Sequence, residues 1–229
     1  MDVKSRTPLY YRQVQKAARV ALTERDTEII ETLTHRVRVL TIAQLARTWW
    51  STTGNAVAAA RRRVKTLQEE GLLEEITLTA HPELKIAAPV ISWTPGEPAP
   101  NFGPVSYQLK HRWSSSPHPV PAVIATTAAA RTFGGNGGRF PRDSEQTHDI
   151  HLSAVYLHYR QAKPKLAASW ASEARIYETR EDKDQKLPDA MITVADSPRV
   201  VEFGGAYSKA KLEAFHGYCS VLELPYEVW

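Results

Sequence analysis

LTERDTEIIETLTHRVRVLTIAQLARTWWSTTGNAVAAARRRVKTLQEEGLL, from Leu22 to Leu73, holds three helical periods in succession. Thr23 is an N-cap residue with Asp26 three positions on. At that spacing a cap hydroxyl and a carboxylate satisfy each other's backbone N–H groups. Ile29, Ile30 and Leu33 then recur at helical spacing. Thr41 and Gln44 repeat the start signal, and Ile42, Leu45, Ala46 and Trp49 form the stripe of a second helix. A short polar turn, Ser51 to Gly54, leads into a third helix from about Asn55 to Glu70. Gly71 sits just past its end, where a left-handed residue closes a helix.

The third helix carries the densest positive charge in the chain. Val57, Ala60, Val64 and Leu67 share one face and are expected to pack on the first two helices. Arg61, Arg62, Arg63 and Lys65 mostly project elsewhere, and Ala56, Ala58 and Ala59 keep the N-terminal end slim enough to enter a major groove. In a helix-turn-helix the start of this helix reads base edges while basic residues hold phosphates. Asn55, Arg61, Arg62, Arg63 and Lys65 are therefore the expected contacts to double-stranded DNA, with counterion release making binding salt-sensitive. A charge run alone reads more readily as a solvated helix face, and such a domain can also serve protein contact. The two capped helices, the short turn and a wing after them favour DNA.

The whole chain has 229 residues, enough for one large or two small domains. Its hydrophobic content of 42% is that of an ordinary soluble protein, and a net charge of +4 permits nucleic acid as a partner without demanding it. Cys219 is the only cysteine, so no disulfide can form within the chain and a cytoplasmic location is expected. No apolar run approaches the roughly 18 residues of a membrane span, and the N-terminus lacks the apolar core of a signal peptide. Residues 1–21 carry Lys4, Arg6, Arg12, Lys16 and Arg19 against Asp2. They read either as a basic arm along DNA or as a leader helix packed on the winged helix.

After Gly71 the period changes. LLEEITLT from Leu72 to Thr79 and LKIAAPVISW from Leu84 to Trp93, joined by a turn at His81, Pro82 and Glu83, are expected to form the wing hairpin. Thr94 to Pro104 reads as a loop, Val105 to Trp113 as a further strand, and Ser114 to Pro121 as a linker. The expected domains are thus 22–113, a winged helix-turn-helix, and 114–229. The latter opens with a strand, VIAT, and a small helix, TAAARTF, within Ala122 to Phe133. GGNGGRFPRDS follows as a flexible loop. It lacks the order of a P-loop, so a mobile loop near DNA using Arg139 and Arg142 is the expectation. His148 to Arg160 reads as a helix. Its His148, His151 and His158 invite a metal, but only the first two lie one turn apart and no cysteine is near, so surface or interface histidines are favoured.

The C-terminal segment orders an acidic residue, a strand with Pro-Asp (LPDAMITV, 187–194), a strand with Glu (RVVEFGGAY, 199–207), a basic helix and a last strand (VLELPYEVW). This order resembles the core of the PD-(D/E)XK nuclease fold. The resemblance implies that Asp189, after Pro188, and Glu202 bind Mg²⁺, which activates water on a phosphodiester, with Glu173 as the upstream acid. The motif's lysine would fall at Gly204. Lys209 or Lys211 would have to reach the site from the following helix, and the implied catalytic set is Glu173, Asp189, Glu202 and Lys209.

LTERDTEIIETL, ARRRVKTLQEEGLL and LPDA…VVEFGGAYSKAKLEAFHGY together resemble the replication-relaxation family of plasmids, phages and integrative elements. That resemblance implies an α+β protein, a winged helix followed by a small PD-(D/E)XK-like domain. It would bind DNA in replication, transfer or regulation of a mobile element, with a second copy or other mobile-element proteins as partners. The alternative it leaves open is a Mg²⁺-dependent DNA endonuclease.

Overall fold

The computed structural model describes residues 20–180 and 187–229. The basic arm expected over 1–21 lies outside the described residues but for its last two. The protein is mixed α+β. In chain order it runs α1 (Glu24–Glu31), a π-helical turn (Thr32–Arg36), β1 (Leu40–Thr41), α2 (Ile42–Trp49), α3 (Ala56–Glu69) and β2 (Leu73–Ala80). Next come β3 (Ile91–Trp93), α4 (Phe102–Lys110), β4 (His118–Ala125), α5 (Thr127–Phe133), α6 (Asp143–Ala162) and α7 (Pro164–Ala168). The last elements are β5 (Ala171–Ser172), α8 (Glu173–Thr179), β6 (Ala190–Val194), β7 (Ser197–Glu202), α9 (Lys209–Val221) and β8 (Tyr226–Val228).

The chain divides into two compact units. One comprises the described residues up to Thr77 with Pro121–Phe140, and the other Leu78–Val120 with Pro141–Trp229. A single boundary at residue 113 was expected. Instead the chain leaves the first unit along β2 and returns along β4.

In the first unit the capped helices form where the sequence marks them. Thr23 and Asp26 close a reciprocal box at α1, and Thr41 and Gln44 close another at α2. Ile30, Leu40, Leu45, Ala60 and Val123 are fully buried, and Ile29, Val64 and Leu67 nearly so. Val57 departs from the expected buried face. It is 47% exposed, because the first turn of α3 follows a turn whose residues are themselves exposed.

The expected wing hairpin does not form. β2 lies in a three-stranded sheet of order β1-β4-β2, with Leu40 opposite Val123 and Thr41 opposite Ala122. Residues 81–90 form no regular element, and β3 pairs with β8 in the other sheet. Ile91 and Trp93 are drawn there by an apolar cluster that includes Phe102, Phe215 and Tyr226. Ser114 to Pro121 is also not all linker, since β4 already begins at His118.

The glycine-rich segment is docked rather than mobile. Gly134 closes α5 in the left-handed region at φ 77°, and the N–H groups of Asn136 and Gly138 donate to the carbonyls of Thr34 (2.8 Å) and Ala125 (2.7 Å). A Cβ on Gly135 would lie 2.4 Å from the Thr34 carbonyl oxygen, closer than any side chain tolerates.

The second unit is built on a five-stranded sheet of order β3-β8-β7-β6-β5. β5, β6 and β7 are successively antiparallel, whereas β7 and β8 run parallel across the α9 connection. The expected succession of strand, strand, helix, strand is present. Val105 to Trp113 is the exception, being mostly helix. Asn101 caps α4 by accepting from the Gly103 N–H, and Phe102, Ser106 and Leu109 are buried at helical spacing. That spacing outweighs the local alternation. Cys219 is buried in this unit's core. Among the described residues no helix is long and apolar enough to cross a membrane.

Candidate functional site

The exposed face of α3 is set by what its buried face does. Asn55 is the N-cap, its side chain accepting from the Ala58 N–H at 3.1 Å. No acidic residue occupies the first turn, so the partial positive charge of the helix start is not offset from within it. Ser51, Thr52, Thr53, Gly54 and Asn55 are all exposed ahead of it.

The basic residues split by role. Arg63 turns inward, donating from Nε to Asp26 Oδ1 (2.8 Å) and from Nη2 to Asp26 Oδ2 (2.5 Å) and the Ala21 carbonyl (3.1 Å). Asp26, 1% exposed, thus caps α1 and anchors α3 with one carboxylate. Burial works against its charged form, but the hydrogen bonds of Arg63 and Thr23 and the Arg63 charge outweigh it and hold the pKa below 3.8. Arg61 pairs with Glu75 at 3.2 Å on the surface, where such a pair is worth little. Arg62 and Lys65 are exposed and have no side-chain partner among the described residues.

In the second unit, antiparallel pairing of β6 with β7 brings Asp189 beside Glu202. The Asp189 N–H donates to Glu202 Oε2 at 3.4 Å. Asp189 Oδ2 accepts from the Phe203 N–H (2.7 Å) and from His148 Nε2 (2.9 Å), while His148 Nδ1 faces Asp149 Oδ1 at 3.3 Å. Burial lowers the His148 pKa, yet Asp189 and Asp149 more than reverse this and push it up to about 10. Glu202, 4% exposed, accepts the Tyr207 hydroxyl at 2.6 Å. Burial first, then the charges of Glu202 and Asp189, raise the Tyr207 pKa far above the ordinary phenol range.

Gly204 has a physical reason to lack a side chain. A Cβ there would lie 2.7 Å from Val228 Cγ1 and 3.0 Å from Leu109 Cδ1. The nearby positive charge is Arg112, after α4. Its Nη2 donates to the Gly204 carbonyl (2.7 Å), its Nη1 to the Trp229 carbonyl (3.1 Å), and the guanidinium lies 4.2 Å from the centre of the Phe203 ring. Burial lowers its pKa to about 10. Of the two lysines expected to replace the motif's own, Lys209 is engaged with Glu213 on the helix surface at 3.5 Å. Lys211 lies 3.5 Å over the Tyr207 ring. Glu173 is exposed at the start of α8, and its backbone N–H donates to the Asp189 carbonyl at 3.1 Å.

Mg²⁺ demands near-octahedral oxygen ligands. Here both oxygens of Glu202 and Oδ2 of Asp189 accept internal hydrogen bonds, and among the described residues no three His, Cys, Asp or Glu side chains are grouped to hold a metal. This donor set does not fit a resident Mg²⁺. The other histidines have separate roles. His151 is neutral, its Nδ1 donating to the Thr147 carbonyl (2.6 Å) and its Nε2 accepting from the Leu84 N–H (3.1 Å), and burial lowers its pKa. His158 packs against Trp229 at 5.2 Å.

The sequence reads His148 as a surface or interface histidine in preference to a metal ligand and gives no reason to single out Tyr207 or Arg112. His148 reaches Asp189 and Tyr207 reaches Glu202 from outside β6 and β7, while Arg112 holds the Gly204 and Trp229 carbonyls. A scan against models of protein families finds no match, and searches of curated proteins and of solved structures find none either.

Proposed function

We propose that this protein is a double-stranded DNA-binding protein acting through a winged helix-turn-helix in its first unit. The observation that carries the reading is the split on α3. Arg63 is spent on Asp26, whereas Arg62 and Lys65 stay exposed beside Arg61 on a helix whose N-cap Asn55 and first-turn Val57 are also exposed. The order helix, β1, helix, helix, β2, β4 with sheet order β1-β4-β2 supports a winged helix in which the chain between β2 and β4 replaces a short wing. Exposed Val57 suits contact with thymine methyl groups, and Asn55 and Thr53 suit base edges or phosphates. A role in replication, transfer or regulation of a mobile element follows the resemblance to the replication-relaxation family. Retardation of a duplex probe tests the reading. Charge reversal at Arg61, Arg62 and Lys65 is expected to abolish the shift while the fold persists, and unchanged binding would overturn it.

A second reading is a Mg²⁺-dependent DNA endonuclease on the second unit. It is supported by the placement of Asp189 beside Glu202, on a sheet in which β5, β6 and β7 pair antiparallel and β7 and β8 pair parallel. It predicts nicking of plasmid in Mg²⁺ or Mn²⁺ that Asp189→Ala removes. The internal donors on both carboxylates weigh against it.

A further inference from the structure

The carboxylates of the second unit are a problem of charge before they are a question of catalysis. Asp189 and Glu202 are neighbours, Asp149 is close by, and Glu202 and Asp149 are buried. Buried like charges repel unless a cation or strong donors compensate them. In a metal-dependent site the compensating charge is the ion.

Here a side chain brings positive charge to two of the three, Asp189 and Asp149. A carboxylate oxygen only accepts hydrogen bonds, and His148 faces one with each ring nitrogen, Asp189 Oδ2 at 2.9 Å and Asp149 Oδ1 at 3.3 Å. Both nitrogens therefore carry hydrogen, and the ring is an imidazolium. Phe203 packs edge-on against it at 5.8 Å. Glu202 is served separately by the Tyr207 hydroxyl, and the Arg112 guanidinium lies 4.2 Å from the centre of the Phe203 ring while donating to the Gly204 carbonyl.

We propose that the Asp189–Glu202 pair takes its cation from within the chain, the His148 side chain on α6, and is a latent rather than a working divalent-metal site. This goes beyond the DNA-binding reading and does not depend on it. The consequence is that removing His148 opens the pair to a hard divalent cation of the Mg²⁺ or Mn²⁺ class, which prefers carboxylate oxygen.

The test uses the full chain and MnCl₂ as the probe, with thermal unfolding and a calorimetric titration as readouts. Wild type is expected to show no saturable Mn²⁺ uptake and no change of Tm at millimolar metal. His148→Ala should lower Tm by roughly 6 °C or more, since it removes the positive charge that faces Asp189 and Asp149, and Mn²⁺ should recover much of that loss. His148→Lys, which keeps a cation, should lose less and gain nothing from Mn²⁺. Stoichiometric Mn²⁺ binding by wild type that Asp189→Asn abolishes would overturn the proposal, as would a His148→Ala variant as stable as wild type. The wild-type titration decides the matter even if His148→Ala fails to fold.

Discussion

The two units treat charge in opposite ways. On α3 of the first unit, one arginine of four basic residues is turned inward to a buried carboxylate, one makes a surface pair, and Arg62 and Lys65 are left facing solvent. Around β6 and β7 of the second unit, the polar groups are turned inward and engaged: His148 on Asp189 and Asp149, the neutral Tyr207 hydroxyl on Glu202, Arg112 on backbone carbonyls. Charge left in water at a helix surface is ready for an external polyanion, and binding there releases counterions. Charge already satisfied inside gains little from a ligand, because the internal donors would first have to be displaced. The difference separates charge left open to solvent from charge engaged within the fold, although the sequence marks both as clusters of charge.

The largest expected effect concerns Arg63, the arginine of α3 that turns inward. Asp26→Ala should cost about 3–5 kcal/mol in a denaturant titration, since it strips Arg63 of its partner and α1 of the carboxylate half of its capping box. Lys65→Ala should cost under about 0.5 kcal/mol. Equal losses for the two would erase the proposed division of labour on α3.

Acid should weaken the same pair. The Asp26 carboxyl is depressed in the folded state, so its contribution is present above the unfolded value and is lost as pH falls through the folded one. The stability gap between wild type and Asp26→Asn is therefore expected to be full above pH 5 and to close below about pH 3.8, followed by thermal unfolding across that range. A gap that widened in acid would contradict this.

A smaller effect probes the second unit. Gly204→Ala should destabilise by about 1–3 kcal/mol, because Val228 and Leu109 would have to move from a Cβ placed 2.7 and 3.0 Å away. The same measurement on Gly205→Ala, where a Cβ meets nothing within 4 Å, should register far less.

What could be read in the sequence followed how local the signal was. The caps at Thr23 and Thr41, the start of α3 at Asn55 and the stop at Gly71 are fixed by residues three or four positions apart, and they fall where expected. The pairing of β4 beside β1 and β2 is not local, since the excursion from Leu78 to Val120 intervenes, so the strand after the turn at His81 was assigned as partner instead. The alternation of SYQLKHRW hides α4, whose buried positions Phe102, Ser106 and Leu109 span the Gly103-Pro104 pair that suggests a loop. Asp189 and Glu202 were legible through the motif they resemble. Their partners were not, because His148 comes from α6 and Tyr207 lies past the turn after β7. Nothing in periodicity foretells which side chain will neutralise a buried acid.

The most direct test of the central claim is the salt dependence of duplex DNA binding by the full chain, measured beside the Arg61→Glu, Arg62→Glu, Lys65→Glu triple variant. If these residues hold phosphates, wild-type affinity falls steeply with salt, and the triple variant binds far more weakly with a log–log slope shallower by about 0.9 per lost contact. A variant that keeps both the affinity and the slope of wild type would show that the exposed face of α3 is only solvated, and the DNA-binding account would fail.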